Sequence, residues 1–443
     1  MKPFFKTRLF PVLALCSLSS PVMALGGGLA DHPAAPITRQ VEQKAGRMIE
    51  RAMDRHLEKQ VEARADTTRQ QLAELPAALP VHTTVGHKAF NDVVLDDGFR
   101  AVERQWLVTG TRSELASLGR RGITILERRE LSGLGMTVVR FQVTTELDSR
   151  TALETALPQL ADRLDRNHVF APQAENGAIA SKTGIPQWRS LCTTPVRVGM
   201  VDTAIATDHP VFSNARIIQQ RFLELAESDG QLNEPNAHGT AVASLMVGSR
   251  KDQWPARLPG ATVYNASVFY DRNRSLSGAT LGHLLEGLNW LAGQDLSVIN
   301  ISLTGPENRL LATAVNSLRN QGILLVAAVG NQGPATPPLY PAAYGGVVGV
   351  TAVDASGELY RWANRGKQVM FAGPGVSVPV AHPERGMAAD SGTSLAAPVI
   401  AAALACRRVD YPDDQAIEAL IDEARDLGER GHDSRFGHGF IDL

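Results

Sequence analysis

Three residues of this sequence have types and settings that suit nucleophilic chemistry. Asp202 closes the run Val198-Gly-Met-Val-Asp-Thr, His238 opens His238-Gly-Thr-Ala-Val-Ala-Ser-Leu-Met, and Ser394 lies in Asp390-Ser-Gly-Thr-Ser-Leu-Ala-Ala-Pro. A serine hydroxyl is barely nucleophilic at neutral pH without an adjacent base, and an imidazole with an ordinary pKa of about 6.5 can take its proton and return it to a leaving group. A carboxylate just beyond an apolar strand is partly desolvated and suits a hydrogen bond to such an imidazole. Each residue alone also has a structural reading: Asp202 as a cap, His238 as a buried structural histidine, Ser394 as a helix N-cap.

The elements around them must bring the three together. From Val196 onward, short apolar runs read as buried strands at 196–201, 263–269, 297–303, 322–329 and 347–353, with little polar alternation. Helical patterns fall between them, most clearly at Leu281, Leu284, Leu285, Leu288 and Leu291, and the run Leu395 to Cys406 reads as a buried helix. Repeated β-α-β units of this length imply an α/β domain, a mostly parallel sheet with helices on both faces. Sites in such sheets form at the C-terminal ends of strands, where Asp202 stands.

Ahead of it, residues 100–172 have another rhythm. Strands are expected at 104–109, 123–128, 136–143 and 167–170, and helices at 112–121 and 149–164. This βαββαβ order is the ferredoxin-like plan of a small α+β domain. Residues 173–190, with Gly177, Ser181, Gly184 and Pro186, read as a linker.

Composition narrows the class. The 443 residues are 44% hydrophobic and 20% charged, with 44 basic and 46 acidic side chains and a net charge of -2. Such a chain has ample material for a core, and without a basic cluster nucleic acid is not an expected partner. Lys2, Lys6 and Arg8 precede an apolar run from Leu9 to Met23, and Val22-Met23-Ala24 offers small residues for a signal peptidase. Residues 1–24 therefore read as a removable secretory signal, which places the product in the periplasm or outside the cell. No transmembrane anchor is expected. Residues 25–99 read as a spacer and an amphipathic helical segment, the helix spanning 38–75. Cys16, Cys192 and Cys406 lack the paired spacing of a zinc site.

Several stretches in a fixed order carry a resemblance. They are Val-Asp-Thr at 201–203, Asn-Ala-His-Gly-Thr-Ala-Val-Ala at 236–243 and Val-Ile-Asn-Ile-Ser-Leu at 298–303. They continue with Ala-Ala-Val-Gly-Asn-Gln-Gly at 327–333, Tyr-Pro-Ala at 340–342, Gly-Thr-Ser-Leu-Ala-Ala-Pro at 392–398 and a terminal Phe-Gly-His-Gly-Phe-Ile-Asp. Together they resemble the subtilisin-like serine peptidases, whose chain order is Asp, His, Ser. The resemblance implies a catalytic domain over 191–443, with Ser394 as nucleophile, His238 as base and acid, and Asp202 as the group that holds the imidazole. Asn331 and the backbone N–H of Ser394 would form the oxyanion hole. Ser302, Leu303, Thr304 and Gly305 would form an edge that pairs with a peptide or protein substrate, with Ala328 and Leu339 lining the pocket beside Leu303. Ala204 departs from the family, which has Gly two residues after the Asp.

The same resemblance makes residues 100–172 a propeptide, an intramolecular inhibitor until it is cut, with maturation expected between about Ala171 and Gly184. The function implied is a secreted serine endopeptidase made as a zymogen. A catalytically weak, subtilase-shaped peptide-binding protein is the alternative, and it would favour loss of a triad member. An esterase would favour Gly-x-Ser-x-Gly with Ser before His, which this chain lacks. No Asp-rich loop suited to calcium is present, and no metal or cofactor is implied. In this fold Cys192 precedes the first strand, and a helix from Ser394 reaches Cys406 about 18 Å away at 1.5 Å per residue. That returns the chain to the side where Cys192 sits, so a disulfide is expected in an oxidising compartment.

Overall fold

Val, Ile and Ala runs between residues 197 and 374 build the central sheet, and their alternating side chains fill two cores at once. The computed structural model describes residues 74–172, 189–224, 230–251, 253–273, 276–384 and 386–441. The expected secretory signal, nearly all of the expected 38–75 helix and most of the 173–190 linker lie outside them.

The N-terminal part begins with strands β1 (Ala78–His82) and β2 (Lys88–Val94). Then come β3 (Arg100–Thr109), α1 (Arg112–Leu115), β4 (Ile123–Leu131), β5 (Met136–Val143), α2 (Arg150–Ala156) and β6 (Leu164–Pro172). Strands β4, β5, β3 and β6 are neighbours in that order, all antiparallel. One face of this sheet packs on α1 and α2 through Trp106, Val108, Phe141, Leu153 and Leu160. The helix expected over 149–164 is broken, with α2 giving way to a 3-10 segment at Pro158–Arg163. Pro158 cannot supply the N–H that would continue the α-helix.

The stretch 25–99, read as spacer and helix, ends instead in the β1–β2 hairpin. Val81 and Phe90 bury into a cluster with Val102, Leu223, Leu232 and Tyr270. Asp92, fully buried, is ion-paired to Arg100 at 2.8 Å and to Arg272 at 2.5 Å.

The C-terminal part runs β7 (Arg197–Asp202), β8 (Arg216–Arg221), α3 (Ala237–Val247), β9 (Thr262–Ser267), β10 (Tyr270–Asn273), β11 (Leu276–Thr280) and α4 (Leu281–Ala292). It continues with β12 (Val298–Ile301), β13 (Leu303–Thr304), α5 (Arg309–Asn320), β14 (Leu324–Ala328), β15 (Val347–Val353) and β16 (Val369–Pro374). It closes with β17 (Val378–His382), β18 (Gly386–Asp390), α6 (Thr393–Arg407) and α7 (Asp413–Glu423). Seven strands form one sheet in the order β16-β15-β14-β12-β7-β9-β8, every pair parallel. Val198, Met200, Val298, Val326 and Ala328 share one core with α3 and α6, whereas Val201, Ile299, Ile301, Leu325 and Ala327 share the other with α4 and α5. Period-2 alternation thus becomes a sheet covered on both faces.

The two parts are knit along β6. Leu107, Leu131, Met136 and Phe170 join the α4–α5 core. Asp165 accepts the N–H groups of Arg309 at 2.5 Å and Leu310 at 3.2 Å, and Asn167 accepts that of Gly282 at 3.2 Å. Two side chains of β6 therefore satisfy orphan donors in the first turns of α5 and α4. At the other end of the domain Cys192 and Cys406 form a disulfide, their Cα atoms 5.8 Å apart across 214 residues of sequence. That separation is inside the limit of about 7 Å for an unforced bridge. By the chain-entropy model so long a loop contributes about 5 kcal/mol. No helix among the described residues is long and apolar enough to cross a membrane.

Candidate active site

Asp202 is the last residue of β7, so the strand delivers its carboxylate to the C-terminal edge of the sheet. His238 and Ser394 are the second residues of α3 and α6, two helices that meet over that edge. The Asp202 carboxylate accepts from Nδ1 of His238 at 2.6 Å and from the N–H of Thr203 at 2.7 Å. With Nδ1 carrying the proton, Nε2 is the acceptor, and it lies 3.2 Å from Oγ of Ser394. All three side chains are buried.

The approach of α3 to the end of β7 depends on Gly239. A Cβ there would collide with the carbonyl oxygens of Thr203 and Ala204, and the Gly239 N–H donates to Oγ1 of Thr203 at 2.7 Å. Ala204 has an ordinary backbone, since the described non-glycine residues with positive φ are Arg104, Asp295 and Ser377. Its methyl is therefore accommodated without strain.

Burial alone would lower the pKa of His238, but the charge and hydrogen bond of Asp202, helped by the charge of Asp390, outweigh it and raise the imidazole above its ordinary value. The imidazolium is thus stabilised where a proton taken from Ser394 would reside.

Asn331 follows β14 through Gly330, whose φ of 111° belongs to the region glycine favours. A Cβ at Gly330 would collide with Leu339 and Gln332. The Asn331 Oδ1 accepts from the N–H of Thr393 at 3.1 Å and from its hydroxyl at 2.9 Å. Those bonds fix the amide so that Nδ2 is the end turned away from Thr393. The Asn331 side chain is thus tied to Thr393, the first residue of α6 and the neighbour of Ser394 in sequence.

Residues 193–439 match the model of a family described as the Subtilase family, more than half of the chain. The chain belongs to the subtilase family. It is a subtilisin-family serine peptidase. It is 31% identical to Subtilisin DY of Bacillus licheniformis over 256 residues, 56% of this chain and 89% of that protein. Against the Minor extracellular protease Epr of Bacillus subtilis it is 35% identical over 215 residues, 47% of this chain but only 32% of Epr. Fervidolysin of Fervidobacterium pennivorans, a solved structure described as a keratinolytic enzyme related to subtilisin, shares the fold with a TM-score of 0.62 and 18% identity. That match covers 83% of this chain and 63% of fervidolysin.

In this subtilase the edge residues lie beside β6. Leu303 pairs with Pro172 and Thr304 with Ala171, antiparallel, and on the other flank Ala279 pairs with Phe170 and Thr280 with Val169. Gly305 lies under the Phe170 ring, where any Cβ would collide with it, and exchanges two backbone hydrogen bonds with Tyr340. Leu303, Ala328 and Leu339 are all buried, Ala328 in the core under α6 and Leu303 in the core with α4 and α5. The Ser302 hydroxyl donates to the backbone carbonyl of Ser394 at 3.0 Å.

The sequence reading missed three contributors. Gln332 donates from Nε2 to Oγ1 of Thr304 at 3.4 Å, which ties the Asn331 turn to the Leu303–Thr304 edge. Thr393 and Asn300 carry bonds that hold neighbours of Ser394. The adjacency of Gln332 to Asn331 was a usable signal; the contacts of Thr393 and Asn300 are tertiary and leave none.

Proposed function

We propose that this subtilase is a secreted serine endopeptidase made as a zymogen. Ser394 attacks the substrate carbonyl, His238 takes its proton and returns it to the leaving amine, and Asp202 holds the imidazole with its proton on Nδ1. Asn331 and the backbone N–H of Ser394 stabilise the oxyanion. Residues 100–172 act as a ferredoxin-like propeptide whose last strand inhibits the enzyme until it is cut.

The observation that carries this reading is the path of β6. Its tail, Val169–Pro172, adds a strand between β11 and β13 as an extended peptide substrate would. Fervidolysin adds support, because its match reaches 83% of the chain where that of Subtilisin DY stops at 56%. The Cys192–Cys406 bridge suits an oxidising compartment, as does the signal-like segment over 1–24. Gln332 places a neutral amide against Thr304 of the expected substrate edge, so selectivity for basic side chains has no support from that residue. Incubation with a fluorophosphonate probe, followed by mass spectrometry, should place the label on Ser394; a label elsewhere would overturn the assignment.

The register also narrows the maturation site. Thr304 faces Ala171 and Leu303 faces Pro172, and in sequence Gln173 follows Pro172 as Ser302, whose hydroxyl donates to the backbone carbonyl of Ser394, precedes Leu303. The bond from Gln173 to Ala174 is therefore the expected cut, and N-terminal sequencing of the mature form should begin at Ala174. A start before Arg100 would sink the propeptide reading.

Asn331→Ala should lower kcat about 100-fold to 1000-fold and leave KM nearly unchanged, because an oxyanion donor acts on charge that exists only in the transition state. Steady-state kinetics on a peptide substrate decide this. A change mainly in KM would instead place Asn331 in ground-state binding.

A further inference from the structure

Pro398 lies inside α6, four residues after Ser394. In an α-helix the carbonyl of one residue accepts the N–H of the residue four further on, and proline has no N–H to give. The carbonyl of Ser394 therefore lacks the donor its place in the helix would normally supply. A donor arrives from outside α6: the hydroxyl of Ser302, at 3.0 Å. Oγ of Ser302 in turn accepts from Nδ2 of Asn300 at 2.8 Å. All three residues are fully buried.

The direction of this relay follows from the atoms. A serine hydroxyl has one proton, and a carbonyl oxygen can only accept, so the Ser302 proton points to Ser394. The remaining bond to Oγ must come from an N–H, which the Asn300 amide provides. Asn300 sits on β12, between β7, which ends in Asp202, and β14, which leads to Asn331. The relay thus ties the first turn of α6 to the strand at the centre of the site.

We propose that Asn300 and Ser302 are positioning residues for the reaction. They replace the helical hydrogen bond that Pro398 deletes and so hold the first turn of α6, with Oγ of Ser394 3.2 Å from Nε2 of His238. Neither side chain need touch substrate for this, and the inference rests on the reading of Ser394 as nucleophile. A small swing of that turn lengthens the bond through which the proton is taken, and reacting groups displaced by about 1 Å lose rate steeply.

The test is a pair of double-mutant cycles on the full-length protein: Ser302→Ala with and without Pro398→Ala, and Asn300→Ala with and without Pro398→Ala. Active molecules are counted by fluorophosphonate titration, so that misfolded protein drops out. Ser302→Ala should lower kcat about fivefold to tenfold, the size of one hydrogen bond, with KM changed less than about twofold. In the Pro398→Ala background residue 398 regains its N–H and bonds the carbonyl itself, and the same substitution should cost less than about twofold. The Asn300 cycle should repeat the pattern with a smaller loss. An equal penalty in both backgrounds, or an effect on KM alone, would overturn the relay. If the variants yield no titratable enzyme, thermal midpoints of the same set in the Ser394→Ala background decide: the penalty must again shrink when residue 398 has an N–H. Failure of the probe to label Ser394 in the unmodified protein counts against the nucleophile, and failure of the cycles with labelling intact counts against the relay alone.

Discussion

Ser394→Ala is expected to abolish peptide hydrolysis and, in the same preparation, to leave the chain uncut after Gln173. One hydroxyl should serve both reactions, since the tail of β6 lies along the edge at Leu303 and Thr304 that a substrate would use. Loss of the nucleophile in a triad enzyme lowers kcat by about a millionfold, leaving only what binding and the oxyanion hole supply. Gel electrophoresis of the purified variant against the unmodified protein, with a peptide assay on both, reads both effects. A variant processed to the mature length in isolation would show that Ser394 is not the residue that cuts, and the triad assignment would fail with it.

Asp202→Asn should keep the fold and lower kcat by about four orders of magnitude. The amide of the new side chain can donate to Nδ1 of His238, which forces the imidazole proton onto Nε2, the nitrogen that must accept from Ser394. The pH profile should move as well. The imidazole must be neutral to act as base, so activity falls as pH drops through its pKa. Burial lowers that pKa and the Asp202 charge more than restores it. Removing the charge leaves burial in command, and the acidic limb of the residual kcat/KM should shift to lower pH. A variant with near-normal turnover and an unmoved limb would mean that Asp202 does not hold the imidazole.

The candidate site was legible because each of its residues sits in a short motif whose backbone role is local. Asp202 must close its strand, His238 and Ser394 must open their helices, and the order of the motifs identifies the family. The strands at the centre of the sheet were legible for a related reason: buried on both faces, Val298–Ile301 and Val347–Val353 are unbroken apolar runs. Strand β8, Arg216–Arg221, lies at the edge of the same sheet and reads as polar, with Gln219 and Gln220 exposed and Arg221 partly so. The β1–β2 hairpin escaped notice because its apolar residues, Val81 and Phe90, are isolated in the sequence and gain their partners from Leu223, Leu232 and Tyr270 far along the chain. The helix-capping roles of Asp165 and Asn167 are equally invisible locally, since the donors they satisfy lie 115 to 145 residues away.

The disulfide has a bearing on which part of the protein outlasts the other. Both of its cysteines lie after Gln173, so a cut there leaves the bridge whole, and residues 78–172 contain no cysteine at all. If the chain is a zymogen as proposed, the covalent staple belongs entirely to the half that would persist as the enzyme. The other half keeps only its antiparallel strands and its contacts with the C-terminal part, and an unstapled domain opens more often than a stapled one. Each opening exposes backbone to whatever peptidase is near, and the nearest is the enzyme itself. On the proposed reading the asymmetric placement of one bond would give the inhibitor the shorter lifetime, so that its hold on the cleft would be temporary by construction.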